Sequence, residues 1–234
     1  MFGLDQAVAG YSDGTTTAIV VVVAIVLGLR HASDPDHLAA VSTLAASGRE
    51  HAARSAARLG LAWGAGHATS LIVFGVPVVL YSSYLPAPVQ SWAETSVGLL
   101  IVTLALLLLT RWRRGAFRAV TGSPEGCTHR HPKTRTRGQA YVIGVVHGVG
   151  GTAGVGLLLL ASIHSKLLAV VALALFAGFA ALSMAVLSTG WGAALGSAPV
   201  QRSFHRVAPM IGGASLVFGI WYALGAQGLV TYVL

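Results

Sequence analysis

The chain has 234 residues, enough for one domain of ordinary size, and carries a formal net charge of +8. Hydrophobic residues make up 55% of it and charged residues only 9%, whereas soluble chains carry about 25% charged residues. A nucleic-acid-binding protein would set its basic residues among many more polar ones, so we expect no nucleic-acid partner. The single cysteine, Cys127, excludes an intramolecular disulfide framework and a thiolate zinc cluster. The composition therefore predicts an all-α protein that crosses a membrane several times.

Apolar runs long enough to cross a bilayer, which takes about 20 residues each, occur six times along the chain. The six predicted transmembrane helices lie at residues 17–40, 57–81, 92–110, 139–162, 166–190 and 208–233. A soluble helical bundle is the less favoured alternative, because its helices would carry polar stripes. The sequence thus predicts a single transmembrane domain over residues 1–234.

Basic residues are unevenly distributed among the segments that connect the predicted helices. Thirteen of the fifteen Lys and Arg residues fall in alternate connections, and eight of these lie between the third and fourth helices or at the edge of that segment. An excess of positive charge is typical of cytoplasmic connections and also attracts anionic lipid. We therefore expect both termini on the outer side and a basic cytoplasmic loop over residues 112–137.

The predicted helices divide into two groups of three around this loop, which suggests halves at about residues 1–111 and 138–234. The first helix of each half would cross the membrane in opposite directions, so the halves would be inverted repeats. A short internal similarity supports this division, because residues 28–31 and 144–147 share the pattern Gly-x-x-His. Many secondary transporters are built from inverted repeats and bind substrate where interrupted helices of the two halves meet.

The inner part of the first predicted helix has five ionisable side chains within eight residues, in the run Arg-His-Ala-Ser-Asp-Pro-Asp-His at 30–37. A charge isolated in hydrocarbon costs a few kcal/mol, so such residues normally face a polar cavity. The alternative is a helix that has reached the interface, but the apolar residues 38–46 that follow disfavour it. Pro35 lacks a backbone N–H and disfavours a helical conformation at Asp34. We therefore expect a local break that frees the carbonyl of His31 and brings the histidines and carboxylates together.

The residue types in this run indicate the ion that it would bind. Imidazole nitrogen and carboxylate oxygen without thiolate suit Ni²⁺, Co²⁺ or Zn²⁺, whereas an all-oxygen set would suit Mg²⁺ or Ca²⁺. Arg30 and Asp34 are four residues apart, a spacing that favours an ion pair on a helix. Such a pair would leave Asp36 as the freer carboxylate.

Residues 30–37 resemble the Arg-His-Ala-x-Asp-Ala-Asp-His signature of the nickel/cobalt transporter family, and residues 31–37 carry its His-x4-Asp-His pattern. Residues 64–70 resemble the second motif of that family, a Gly-His-Ser/Ala-Thr run. Residues 147–154 are similar to a His-Gly-x-x-Gly-Ser-Ala stretch of its shorter six-span, urease-accessory-like membrane branch. The resemblance covers most of the chain. Two differences are that Pro35 replaces the usual small residue and that six helices are predicted instead of eight.

This resemblance implies transport of Ni²⁺ and/or Co²⁺ by a multi-pass protein of the bacterial cytoplasmic membrane, with uptake favoured and no enzymatic activity. Its motif residues imply a metal site in the first two helices, with Asp34 either a ligand or a neighbour of a ligand. The implied metal-binding residues are His31, Asp34, Asp36, His37 and His67. The expected partners are the metal ion and the lipid bilayer, with no resident cofactor, and a homo-oligomer is left open.

Two alternatives to uptake are metal efflux and an intramembrane metal-dependent enzyme such as a metalloprotease. The enzyme is disfavoured because the chain has no His-Glu-x-x-His motif and no glutamate near His31 to act as a general base. No ATP-binding motif occurs either, so any drive by ATP would come from another protein.

The positions of His31 and His67 predict that they lie at a similar depth. His67 is about ten residues into the second predicted helix, which corresponds to roughly 15 Å of helix rise and about half of the hydrocarbon thickness. His31 is at a similar depth measured from the other side. We therefore expect the two rings to converge on one polar cavity with at least one of Asp34, Asp36 and His37.

Glycines surround His147, at positions 144, 148, 150, 151, 154 and 156. No strand precedes them and no Lys-Ser/Thr follows, so close helix packing is favoured over a phosphate-binding loop. As a lone histidine in a glycine-rich helix, His147 is expected to be a packing residue more often than a ligand.

The predicted basic loop contains Cys127, His129 and His131 in a Cys-x-His-x-His pattern. This spacing could hold a metal ion weakly on the cytoplasmic side. A solvated loop without such a site is favoured, because Pro, Gly and charged residues are frequent around it.

Overall fold

The computed structural model of the chain describes residues 2–45, 52–81, 86–115, 136–150, 163 and 165–231. Within these ranges the regular secondary structure is entirely α-helical, as the composition predicts. The helices are α1 (Phe2–His31), α2 (Pro35–Ala45), α3 (Ala52–Tyr81), α4 (Ala87–Arg113), α5 (Arg137–Val149), α6 (Lys166–Gly196) and α7 (Ala198–Ala226).

Four segments are each long and apolar enough to cross a membrane. They are Arg54–Tyr81, Pro88–Arg113, Lys166–Gly196 and Ser203–Ala226. Thr17–His31 and Pro35–Val41 would together add a fifth span, bent by 46°. The predicted multi-pass membrane character is thus confirmed. Six spans and inverted halves remain predictions, because α5 has only 13 residues and residues 151–162 of the fourth predicted helix lie outside the described residues.

The first predicted helix is interrupted, and it begins earlier than its apolar run. Helix α1 starts at Phe2 and ends at His31, and α2 starts at Pro35. Proline suits the first position of a helix, because the N–H that it lacks would have no partner in the helix there. The break expected at Pro35 is therefore confirmed.

In the turn between α1 and α2, backbone amides form hydrogen bonds with carbonyl groups at the end of α1. The amide of Ser33 donates to the carbonyl of Arg30 at 2.8 Å, and the amide of Asp34 donates to the carbonyl of His31 at 3.2 Å. The expectation that the His31 carbonyl would be free is therefore wrong, because the tight turn that ends α1 uses it.

Helix α3 lies against both α5 and α6, while α1 packs on α6 and α4 packs on α7. Helix α2 contacts α3, α4, α6 and α7. The buried surface of α6 consists largely of small residues, including Ala172, Ala177 and Ala180, whereas Leu182 and Val186 on the same helix are exposed. Small residues between helices and large apolar residues outside are typical of helix packing in lipid. Polar side chains are nevertheless buried among these helices.

Candidate metal site

The break between α1 and α2 delivers polar side chains to the interior of the bundle. His31 is the last residue of α1, and Asp36 and His37 are the second and third residues of α2. His67 lies midway along α3 and His147 lies near the end of α5. His31 is 5% exposed and the other four are at most 1% exposed. Helices α1, α2, α3 and α5 thus bury four imidazoles and a carboxylate inside the protein.

The rings of His31 and His67 are in direct contact. Their Nε2 atoms are 2.9 Å apart, so the two side chains lie at the same level of the bundle. Two nitrogen ligands about 2.1 Å from one ion, at right angles as in the square-planar or octahedral geometry of Ni²⁺, would be about 3.0 Å apart. The observed spacing suits either a hydrogen bond between the rings or a shared ion.

Asp34 lies in the turn and pairs with two residues of α1. Its Oδ2 is 3.2 Å from Nδ1 of His31, and its Oδ1 is 3.9 Å from Nη2 of Arg30. A carboxylate accepts the proton of Nδ1, which leaves the Nε2 lone pair of a neutral imidazole available. Histidines that bind metal ions commonly have such a partner on the other ring nitrogen. Asp34 thus orients His31 and favours the tautomer in which Nε2 has a free lone pair.

Each carboxylate oxygen of Asp36 accepts a hydrogen bond from an imidazole. Its Oδ1 accepts from Nδ1 of His37 at 3.0 Å, and its Oδ2 accepts from Nε2 of His147 at 3.1 Å. The expectation that pairing of Arg30 with Asp34 leaves Asp36 as the freer carboxylate is wrong. The bend places Asp36 inside the bundle between the rings, whereas a continuous helix would point it away from His31.

Several buried nitrogens of the cluster have no hydrogen-bond partner among the described residues. They are Nε2 of His37, Nδ1 of His67 and Nδ1 of His147. Leaving a buried polar atom unpaired costs about 1–3 kcal/mol. Two groups of three ligands are close enough to hold an ion, His31 with His37 and His67, and Asp36 with His37 and His147, with ligand atoms within 4.8 Å in each.

The glycines around His147 permit α5 to approach α3 closely. A Cβ atom at Gly144 would lie 2.9 Å from the amide nitrogen of His67, and one at Gly148 would lie 2.8 Å from the carbonyl oxygen of His67. Both distances are shorter than real Cβ contacts, so only glycine suits these positions. Close packing was the favoured interpretation of these glycines, and it is confirmed at these two positions.

His147 is the residue of the cluster that sequence reasoning did not include among the metal residues. The structure brings it to Asp36 and His37, with ring centroids of His37 and His147 4.3 Å apart. The Gly-x-x-His pattern shared by residues 28–31 and 144–147 was a signal, because His31 and His147 end the two copies and both enter the cluster. Cys127, His129 and His131 of the predicted basic loop lie outside the described residues.

The class of the protein follows from two features. It has apolar helices of membrane-spanning length, and these surround a buried cluster of imidazoles and carboxylates. Ionisable side chains inside a membrane domain typically mark the pathway of an ion or substrate, and this donor set suits a divalent transition-metal ion. The fold and the cluster therefore describe a membrane transporter for metal ions.

Comparison with known proteins identifies the family. Residues 17–141 match the family model NicO, described as high-affinity nickel-transport protein. Because this match covers more than half of the chain, the chain belongs to the NicO family of nickel transporters and is not an enzyme. Urease accessory protein UreH from Bacillus sp. (strain TB-90) is 26% identical over 222 residues, which cover 87% of this chain and 90% of UreH. No solved structure matches the chain significantly.

Proposed function

We propose that this chain takes up Ni²⁺, and also Co²⁺, across the bacterial cytoplasmic membrane, with the ion bound by the imidazoles of His31, His37 and His67. The observation that carries the proposal is the convergence of these three rings at the broken first span, with one potential ligand atom from each within 4.8 Å of the others. The rings belong to α1, α2 and α3, so an ion would hold together helices that the break allows to separate.

The charge near these rings supports a divalent ion as the substrate. Asp34 contacts His31 and Asp36 contacts His37. Two carboxylates beside neutral imidazoles give the cluster a negative charge that attracts a cation, even though the exposed Arg30 also pairs with Asp34. In the proposed site both aspartates support the histidines, and either can enter the coordination sphere when the ion arrives.

The meeting of α2 and α5 supports two inverted halves of three spans each. Asp36 and His147 are 111 residues apart in sequence and in contact in the structure. His147 ends one copy of the Gly-x-x-His pattern, and Asp36 lies five residues after the other copy. Transporters with inverted repeats bind substrate at the interface of such halves. Alternating access would then open the cluster first to one side and then to the other.

Metal accumulation by cells that express the chain tests the function and its direction. We expect more cell-associated Ni²⁺ than in cells without the chain, and competition by Co²⁺ that exceeds competition by Mg²⁺, since imidazole ligands disfavour Mg²⁺. Reduced accumulation together with increased metal tolerance would instead show efflux.

Variants of the cluster test the site. His31→Ala and His67→Ala should each abolish Ni²⁺ accumulation while the amount of protein in the membrane stays the same. His205→Ala is the matched control, because His205 is exposed on α7. This variant should accumulate Ni²⁺ as the unchanged chain does. If both cluster variants accumulate Ni²⁺ normally, the assignment of the site is wrong.

A further inference from the structure

A second group of potential ligands lies beside the proposed ion site and shares one residue with it. Asp36, His37 and His147 each offer an atom within 4.8 Å of the other two, and all three side chains are buried. The same spacing holds for His31, His37 and His67. His37 is therefore common to both groups.

Resting on the transport function proposed above, we infer that Asp36, His37 and His147 form a second position for the transported ion. A single ion passes between this position and the one made by His31, His37 and His67 by exchanging ligands around His37. The second position takes the same class of ion, a divalent transition metal, but holds it with a carboxylate and with a residue from α5.

The surroundings of Asp36 favour a cation at this position. Asp36 is fully buried, and its ion-pair partners within the described part of the chain are the imidazoles of His37 and His147. Neither ring carries a permanent charge, and a buried carboxylate without a positive partner is costly. A divalent cation supplies that charge, and one oxygen with two imidazole nitrogens is a donor set that Ni²⁺ and Co²⁺ accept.

The ring of His37 lies between the two positions. Its centroid is 4.6 Å from the ring of His31 and 4.3 Å from the ring of His147, whereas the rings of His67 and His147 are 6.1 Å apart. Nδ1 of His37 faces Asp36, and its Nε2 has no hydrogen-bond partner among the described residues. Nε2 of His37 would therefore hold the ion in the first position, and Nδ1 would hold it in the second once the Nδ1 proton has moved to Nε2. The ion thus stays on one ring while its other ligands change.

One ion occupies the pair of positions at a time. Asp34 and Asp36 carry two negative charges at most, and Arg30 already pairs with one of them. Two divalent ions within a few ångströms of each other in a low-dielectric interior would therefore repel strongly. Movement from the first position to the second transfers the ion from residues of α1 and α3 to a residue of α5. This transfer would be a step in the passage of the ion between the two proposed halves.

Binding of Ni²⁺ alone to the purified full-length protein tests whether there are two positions. We expect His67→Ala and His147→Ala each to retain binding of one Ni²⁺ per chain, because each leaves one position intact. The double variant should lose more Ni²⁺ affinity than the two single fold-losses multiplied together, since it damages both positions. His205→Ala, introduced into the His67→Ala protein, is the control and should cause no further loss.

The proposal of a second position would be overturned if the loss of Ni²⁺ affinity in the double variant equals the product of the two single fold-losses. It would also be overturned if His147→Ala has no effect on affinity in the His67→Ala protein. These outcomes leave the proposed function intact as long as the unchanged chain accumulates Ni²⁺ and His67→Ala does not. Absence of Ni²⁺ accumulation by the unchanged chain would overturn the proposed function itself.

Replacement of His147 by glutamine distinguishes two roles of this residue, as a ligand of the ion or as a residue that only positions Asp36. The amide of His147→Gln can still donate to Asp36 but is a poor ligand for Ni²⁺ compared with imidazole. As a ligand, His147 cannot be replaced by Gln, so we expect transport about tenfold or more below that of the unchanged chain while Ni²⁺ binding persists. Transport by His147→Gln at the level of the unchanged chain would overturn the proposal.

Discussion

The carboxylate of Asp34 joins Nδ1 of His31 at 3.2 Å to Nη2 of Arg30 at 3.9 Å. Arg30 and His31 are the last residues of α1, so Asp34 reaches back over the turn that separates α1 from α2. One oxygen pairs with a side chain that is 75% exposed and the other with one that is 4% exposed. The turn therefore fixes the orientation of an imidazole whose other nitrogen meets His67.

Replacement of Asp34 by asparagine should weaken Ni²⁺ binding. The amide oxygen can still accept from His31, but the negative charge that balances the ion is lost, and loss of such a supporting partner typically costs about 10–100-fold in metal affinity. The measurement is Ni²⁺ binding to the purified protein. Arg30→Gln is the control, because an exposed ion pair contributes little, and it should leave affinity within a few-fold. Equal affinities of Asp34→Asn and the unchanged chain would contradict this role.

The sequence was sufficient to predict the break and the histidines that meet there. Pro35 affects the backbone conformation locally, so its effect can be predicted without the tertiary structure. Charged residues within an apolar run have few explanations, so they too can be interpreted from the sequence. The equal depth of His31 and His67 followed from helix rise alone. These features depend on local geometry and on the thickness of the bilayer.

The role of Asp36 could not be predicted in this way. Its partners, His37 and His147, are one and 111 residues away, and no periodicity of one helix relates them. A continuous helix points Asp36 away from His31, and only the 46° bend with the close approach of α5 places it between the rings. Tertiary contacts of this kind require the packing of the helices.

Replacement of Pro35 by alanine should reduce transport modestly without loss of folded protein. Alanine supplies an N–H and removes the restriction on Asp34, so the turn becomes less rigid. Asp34 still pairs with His31, and the family signature has alanine at this position, so a decrease of a few-fold in the Ni²⁺ transport rate is expected. The assay is initial rate of uptake at equal membrane levels. A complete loss of transport would show that Pro35 is essential for the break.

Binding of Ni²⁺ should weaken as the pH falls. Metal ions and protons compete for the same imidazole nitrogens, which must be neutral to act as ligands, and an imidazole in water has a pKa of about 6.5. Because the proposed site has three imidazoles, the apparent affinity should fall steeply with pH once protons compete with the ion for these rings. Equilibrium binding over a series of pH values measures the slope. Affinity that is independent of pH would exclude imidazoles as ligands.

Replacement of Gly148 by alanine should disturb His67 through packing alone. A Cβ atom there would lie 2.8 Å from the carbonyl oxygen and 3.0 Å from Nδ1 of His67, so α5 or the His67 ring must shift. Such overpacking typically costs about 1–3 kcal/mol, and displacement of a ligand should lower Ni²⁺ affinity about tenfold or more.

Gly178→Ala is the matched control for this change. Gly178 lies within helix α6 and is exposed, and no atom lies within 4 Å of a Cβ built there. Alanine also has a higher helix propensity than glycine, so Gly178→Ala should retain transport and thermal stability in detergent. Gly148→Ala should lose both, and its Ni²⁺ affinity should fall together with its transport rate. If Gly148→Ala binds and transports Ni²⁺ as Gly178→Ala does, the close packing of α5 on α3 does not hold His67 in place, and the position of its ring must depend on its contacts with the other histidines.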